Sequence, residues 1–459
     1  MRKKATKLAV AAVMLIIAAI FYIIQQPNKY RVEDILAAYQ EHGDYNDITI
    51  DYPLDETLFP PEMLPPVYRW EDSNPASMSW LIRFEFSDGK PCMNFPATRQ
   101  KWTPGAEDWK IIKNRSLEQL AKVVILGVGS DEPLRVLSRA SMSFKTSKDP
   151  VGAPLFYREV NLPFIEADKD LSGIRWRFGS IDSPMPPIVL QNLPVCGNCH
   201  SFSRDGSTLA MDVDYASNKG SYVITAVREQ IVLANKDIIT WADEENTEQA
   251  NGLLSQISPD GRYVISTVKD ISVFVPKPEL AFSQLFFPVK GILCVFDRET
   301  SSFRELPGAD NPEFVQSNPT WSPDGKYIIF ARAKAPDLRN TKQQGSIWLT
   351  PAESREFIAA DESFLFDLYR IPFNDGTGGS PEPIKGASNN GMSNYFARYC
   401  PDGRWVVFCK AKSYMLLQPD SKLYIIPAEG GDARRLRCNT SRMNSWHSFS
   451  PNGKWLVFS

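Results

Sequence analysis

The chain has 459 residues, 43% of them hydrophobic and 23% charged, which excludes wholesale disorder and a polytopic membrane protein. At roughly 100–200 residues per folded unit the length allows about two to four domains. Lysine and arginine total 51 against 54 acidic residues, so a net charge of -3 gives no electrostatic reason to expect nucleic acid as a partner. Aromatic residues at 12%, 35 prolines and only three histidines point to a sheet-rich chain with many turns and little acid–base chemistry at neutral pH.

Arg2, Lys3, Lys4 and Lys7 precede an uncharged apolar run at residues 8–24. Its 17 residues sit at the lower end of the roughly 17–25 needed for a membrane-spanning helix. The sequence that follows, Ile23-Ile24-Gln25-Gln26-Pro27, lacks the small-residue pattern of a cleavage site. Residues 1–30 therefore read as a signal-anchor whose transmembrane helix ties the protein to the bacterial inner membrane, with the basic end in the cytoplasm and the remainder in the periplasm. The alternative is a secreted protein released by signal cleavage. Seven cysteines in an exported chain leave at least one unpaired or chemically occupied. Cys294, Cys400 and Cys409 lie in strand-like runs and read as buried thiols.

Residues 46–165 contain short strand-like stretches separated by Pro and Gly (ITIDYP, PVYRWED, SWLIRFEFSDG, AKVVILGVG, SMSFKTSKD, PLFYREV), with Trp70 and Trp80 near strand centres. This pattern predicts an immunoglobulin/fibronectin-like β-sandwich acting as a spacer, with a binding role as the alternative. A short helix is expected from Ser116, read as an N-cap, to Lys122.

Five copies of one frame follow: HSFSRDG from His200, SQISPDG from Ser255, PTWSPDG from Pro319, ARYCPDG from Ala397 and HSFSPNG from His447. Each precedes a strand-like run (STLAMDVDY, RYVISTV, KYIIFARA, RWVVFCKA, KWLVFS). Pro and Asp suit a tight turn and Gly supplies positive φ, so each copy predicts a hairpin. Third strands (SYVITAV, GILCVFDRE, FDLYRIPF, KLYIIPAEG) and fourth strands near SFRELP, PEPIKG and ARRLRC complete four-stranded units, which predicts a C-terminal β-propeller over 174–459 with about five four-stranded blades.

The runs WSPDGKYIIF and LYIIPAEGGDARRL resemble the blade repeat of the TolB-like periplasmic propellers. That resemblance implies a binding platform for envelope proteins or glycans. Successive copies are 55, 64, 78 and 50 residues apart, more than the usual ~40–45 of a blade, so insertions such as 334–360 should hang from the blades. The last copy ends after two strands, and residues 174–190 are expected to complete its blade and close the ring. The alternative is that the chain is part of a longer one.

Cys196-Gly197-Asn198-Cys199-His200 matches C-x-x-C-H, the attachment signature of c-type haem. Two thiols at this spacing can reach two vinyl groups, and the adjacent His can ligate the iron. His200 and His447 share one repeat slot, so a closed ring would set them on neighbouring innermost strands. His447 is therefore a candidate sixth ligand, ahead of Met211, Met392 and Met443, the other reading of it being a hydrogen-bonded blade residue. The same side chains would otherwise make a zinc site from Cys196, Cys199, His200 and His447, or Cys196 and Cys199 would pair as a disulfide. Glu166-Ala-Asp168-Lys-Asp170 resembles the start of a calcium loop, but Gly179 stands where the closing Glu belongs, and a turn is expected. No nucleophile–base constellation marks an enzyme. Two function classes follow: a haem-bearing electron-transfer or redox-sensing module, and a non-enzymatic envelope scaffold.

Overall fold

The computed structural model describes residues 31–459 except 130–132, 161–169, 194–199, 214, 216–217, 243–249, 251, 277–283, 338–347 and 359–362. The signal-anchor at 8–24, Glu166 and Asp168, and both cysteines of the C-x-x-C-H motif lie outside the described residues. Among the described residues no helix is long and apolar enough to cross a membrane. The described residues are all-β apart from short helices and divide into two compact units, the first ending at Pro150 and including Ile181–Pro184, the second comprising Val151–Ser180 and Met185–Ser459.

In the first unit one continuous sheet runs Met93–Ala97, Ser79–Phe86, Ala121–Val128, Val136–Thr146, Asn46–Tyr52, Tyr68–Asp72, Lys101–Trp102. It doubles over, so that rings from its two ends meet: Tyr68 on Phe84 at 5.7 Å, Trp70 on Trp80 at 6.0 Å, Phe95 on Trp102 at 4.7 Å. An immunoglobulin-type sandwich would keep two antiparallel sheets apart. Here Asn46–Tyr52 joins the layers, antiparallel to Tyr68–Asp72 and parallel to Val136–Thr146. The outer face, with Leu81, Val124 and Leu126, is covered by Ile35 of the helix Val32–Ala38.

The helix expected from Ser116 lies one segment earlier, at Ala106–Arg115. Glu107 and Asp108 sit in its first turn and Lys113 and Arg115 in its last, matching the helix dipole at both ends. Trp109 and Ile112 are its buried contacts with the sheet. Ser116 is the C-cap instead of the N-cap, because its hydroxyl donates back to the Ile112 carbonyl at 2.8 Å, and Ala121 then opens a strand.

The second unit is a five-blade propeller arrangement. Blade one has three strands, Leu155–Glu159, Arg175–Gly179 and Ile188–Gln191. Blades two to five begin with innermost strands His200–Phe202, Leu253–Ile257, Phe314–Trp321 and Ser393–Tyr399, and each adds three antiparallel strands outward. A terminal hairpin, Ser448–Phe449 with Leu456–Val457, follows and packs Trp446, Phe449 and Leu456 on the core of blade five.

The expected closure of the last blade by 174–190 is not formed among the described residues. Arg175–Gly179 pairs with Leu155–Glu159 on one side and Ile188–Gln191 on the other, and Leu456–Val457 pairs with Ser448–Phe449. The cause is the stretch PLFYREV, expected in the first domain. It belongs to the second unit and supplies blade one with its own inner strand, whose Phe156 touches His200 and Phe202.

The repeated turn is a polar knot. Ser203, Ser258, Ser322 and Ser450 each donate to the Asp or Asn two residues on, at 2.5–2.7 Å. The same hydroxyls accept the amide five residues on, at 2.8–3.0 Å. The five turn glycines share φ of 68–76°, a region that glycine enters without steric cost. Donation from Ser322 holds the Asp324 carboxyl below its usual range. Ser322→Ala removes this donor and strands the Tyr327 amide, so a loss of about 1–3 kcal/mol is expected in urea unfolding of the second unit. A loss under ~0.3 kcal/mol would refute this account of the motif.

All five turns lie at one end of the ring. There the Arg204 amide donates to the Pro259 carbonyl at 2.8 Å and its guanidinium to the Pro323 carbonyl at 3.3 Å, linking the turn of blade two to those of blades three and four. At the opposite end blade three overshoots. Its strands Tyr263–Pro276 and Gln284–Asp297 have 14 residues each, and the insertion strand Trp348–Leu349 runs parallel to one of them. Phe287 anchors this raised structure against Phe357 at 5.8 Å, Phe364 at 5.3 Å and Tyr414 at 4.7 Å.

Candidate functional site

The residue just before the frame has positive φ in four copies: Leu254 at 59°, Asn318 at 55°, Phe396 at 53° and Trp446 at 51°. In blades three, four and five it coincides with a register slip, so each innermost strand is bulged where its repeat begins. Equivalent positions then meet between neighbouring blades. Ser201 accepts the Ile257 amide at 3.0 Å, Trp321 donates to the Gln256 carbonyl at 3.1 Å, and Asn318 accepts the Phe396 amide at 2.6 Å. The innermost strands thus run side by side in one direction and at one height. The slot shared by His200 and His447 lies at the end where the insertions rise, opposite the turns.

The two histidines occupy that slot differently. His447 is 1% exposed, with Nε2 at 3.0 Å from the Val407 carbonyl and Nδ1 at 3.9 Å from the Cys409 thiol. A carbonyl can only accept, so Nε2 carries the proton and the ring is neutral. Burial pushes its pKa down to about 3, the Val407 bond opposing and the charge of Arg398 assisting. His200 pairs in register with Met211, and its ring meets Phe156 edge-on at 4.9 Å. Burial first, then repulsion from Arg158 and Arg398, brings its pKa to about 4 against the opposing effect of the Phe156 backbone. Its Nδ1 is buried and has no hydrogen-bond partner among the described residues. Orphaned atoms of this kind are rare, because an unmade buried hydrogen bond costs about 1–3 kcal/mol.

Each imidazole faces the preceding blade: His200 toward blade one, His447 toward blade five. The structure therefore does not oppose the two rings as the shared slot had led us to expect, and both nitrogens of His447 are engaged within the blade seam. Nε2 is taken by the Val407 carbonyl, and Nδ1 faces the Cys409 thiol. Met211 is buried in the core between blades one and two. Among the described residues no group of three His, Cys, Asp or Glu is placed to hold a metal ion. The buried thiols expected of Cys294, Cys400 and Cys409 are observed, all three free, and burial raises Cys294 and Cys409 to about 12. Asp170 accepts the Ser172 amide at 3.0 Å and leads into a single 3-10 turn.

Two cations near His200 escaped the sequence reading. Arg158 shares a strand face with Phe156, two residues along, while Glu159 is held by Arg175 and Arg177. The Arg398 guanidinium stacks at 4.2 Å over Phe396, whose ring meets His447 at 5.3 Å. Arg398 is the single charged residue at the second frame position, where the other copies carry Ser201, Gln256, Thr320 and Ser448. That contrast was the available signal.

No protein-family model matches the sequence, and no curated protein matches it. Solved structures do align with it. An oligogalacturonate lyase from Vibrio parahaemolyticus is 10% identical with a TM-score of 0.34, covering 67% of this chain and 83% of its own. A gluconolactonase from Xanthomonas campestris is 12% identical with a TM-score of 0.38, covering 63% of this chain and 79% of its own. The tricorn protease is 9% identical with a TM-score of 0.31, covering 91% of this chain and 36% of its own.

Proposed function

We propose that this chain is a membrane-anchored, periplasmic, TolB-like propeller protein that carries c-type haem at Cys196, Cys199 and His200 and serves in electron transfer or redox sensing. The observation that carries the reading is the contrast within one repeat slot. His447 Nε2 meets the Val407 carbonyl and its Nδ1 the Cys409 thiol, whereas His200, next to the C-x-x-C pair, keeps a buried nitrogen with no partner among the described residues. A neutral imidazole with an unused lone pair suits an iron ligand, because a protonated ring cannot bind metal. The export segment at 1–30 is consistent with the compartment in which such attachment takes place.

The haem supplies one-electron iron chemistry. Cys196 and Cys199 would hold it through thioethers, His200 would ligate the iron, and Phe156 fixes the plane of that imidazole and keeps water from it. The full-length chain, expressed with a haem-attachment system, is expected to show a Soret band that survives denaturation. Cys196→Ala together with Cys199→Ala should abolish it, and His447→Gln should leave it in place. Protein without the band would overturn the proposal and leave an envelope scaffold with a C-x-x-C disulfide.

A further inference from the structure

We infer that the first unit carries a binding site for a carboxylated sugar, a uronate unit of an acidic glycan, in the cleft where the two edges of its sheet come together. The site lies apart from the residues of the haem reading and does not depend on it.

The chain runs from one edge of the sheet, Met93–Ala97, directly to the other, Lys101–Trp102. The residues between are held by Gln100, whose carbonyl accepts the Trp70 amide at 3.2 Å and whose Oε1 accepts the Asp72 amide at 3.1 Å. A cavity of about 360 Å³ opens here, lined by Pro96, Ala97, Thr98, Arg99, Lys101 and Trp102. That volume is at the low end of the roughly 300–1,000 Å³ of small-ligand sites and suits a short stretch of a glycan.

The polar part of the lining consists of donors. The Thr98 hydroxyl, the Arg99 guanidinium, the Lys101 ammonium and the Trp102 indole N–H have no hydrogen-bond or ion-pair partner among the described residues. The acids of the adjoining strand leave both cations uncompensated: Asp72 accepts from Trp80 and Ser138, and Glu71 forms no ion pair among the described residues. The occupant must therefore bring negative charge and acceptor oxygens. A carboxylate meets a guanidinium through two parallel N–H donors. Pro96 and the half-buried Trp102 add an apolar wall, and the Trp102 ring is set by Phe95 at 4.7 Å and Tyr68 at 5.9 Å. A pyranose lays its C–H face on such a wall while its hydroxyls and ring oxygen accept from the donors around it. A peptide strand added to the edge is a poorer occupant, because Lys101–Trp102 has only two residues and Pro96 lacks the N–H that a ladder needs.

Titration calorimetry on the full-length protein tests this with trimers of mannuronate, guluronate, galacturonate and glucuronate. Mannotriose serves as the uncharged counterpart and triglutamate as the acidic peptide. At least one uronate trimer is expected to bind at millimolar concentration or below, and about tenfold or more tightly than mannotriose or triglutamate. Arg99→Gln and Lys101→Gln should each weaken that binding by about tenfold. Both side chains are exposed, so neither variant disturbs the core. Lys110→Gln, on the exposed side of the helix Ala106–Arg115, is the control and should bind as the wild type does. Binding of no uronate trimer, equal binding of mannotriose or triglutamate, or uronate binding unchanged in both Gln variants overturns the assignment. No readout here involves haem, so such a failure leaves the C-x-x-C-H reading standing, and loss of the Soret band leaves this site standing.

Discussion

As pH falls from 6.5 toward 3, the second unit should lose about 1.4 kcal/mol of stability per pH unit through His447 alone. The folded pKa of about 3 lies below the ordinary value of 6.5, so the unfolded chain takes up the proton first. Above pH 6.5 neither state is protonated and the stabilisation is fully present. Between 6.5 and 3 the unfolded state binds one more proton than the folded state, and stability drains away. Below 3 both states are charged and no further loss arises from this residue. His447→Gln keeps a donor for the Val407 carbonyl and removes the titration. Its urea-unfolding free energy, followed from pH 7 to pH 4, should fall less steeply than that of the wild type by this slope. Parallel curves would show that the buried imidazole is not a neutral seam residue.

Truncating Phe287 should cost about 3–5 kcal/mol. Its side chain is fully buried and is shared by three aromatic neighbours, Phe357 and Phe364 from the blade-four insertion and Tyr414 from a loop of blade five. Phe287→Ala leaves a cavity that none of these elements can collapse into without moving the others, since each is fixed elsewhere. Tyr414, for example, donates its hydroxyl to the Phe357 carbonyl. The loss should appear in denaturant unfolding together with faster amide exchange along residues 271–276 and 284–289. A change below about 1 kcal/mol would mean that the insertions do not share one core.

The propeller was legible because its repeat carries its own chemistry: in four of the five turns a Ser hydroxyl bonds to the Asp or Asn two residues on, and the glycine sits at positive φ every time. The start of the ring was not legible, since PLFYREV reads as a strand in either unit and only its pairing with Arg175–Gly179 assigns it. The bulged position ahead of each frame was equally silent. Of Leu254, Asn318, Phe396 and Trp446, only asparagine has an intrinsic leaning toward positive φ. Ser116 misled because a hydroxyl can cap either end of a helix, and the deciding partner, the Ile112 carbonyl, lay upstream. At the candidate site the motif was plain, and its slot in the repeat was plain too. What the slot could not convey was direction. Two histidines in one repeat slot look as though they should meet, but His200 packs on Phe156 of blade one and His447 on Val407 and Cys409 of blade five.

The contacts that Arg204 makes from its own turn to Pro259 and Pro323 tie the turns of blades two, three and four together at one end of the ring. Losing the Arg204 guanidinium should therefore be felt in blade four as well as in its own blade.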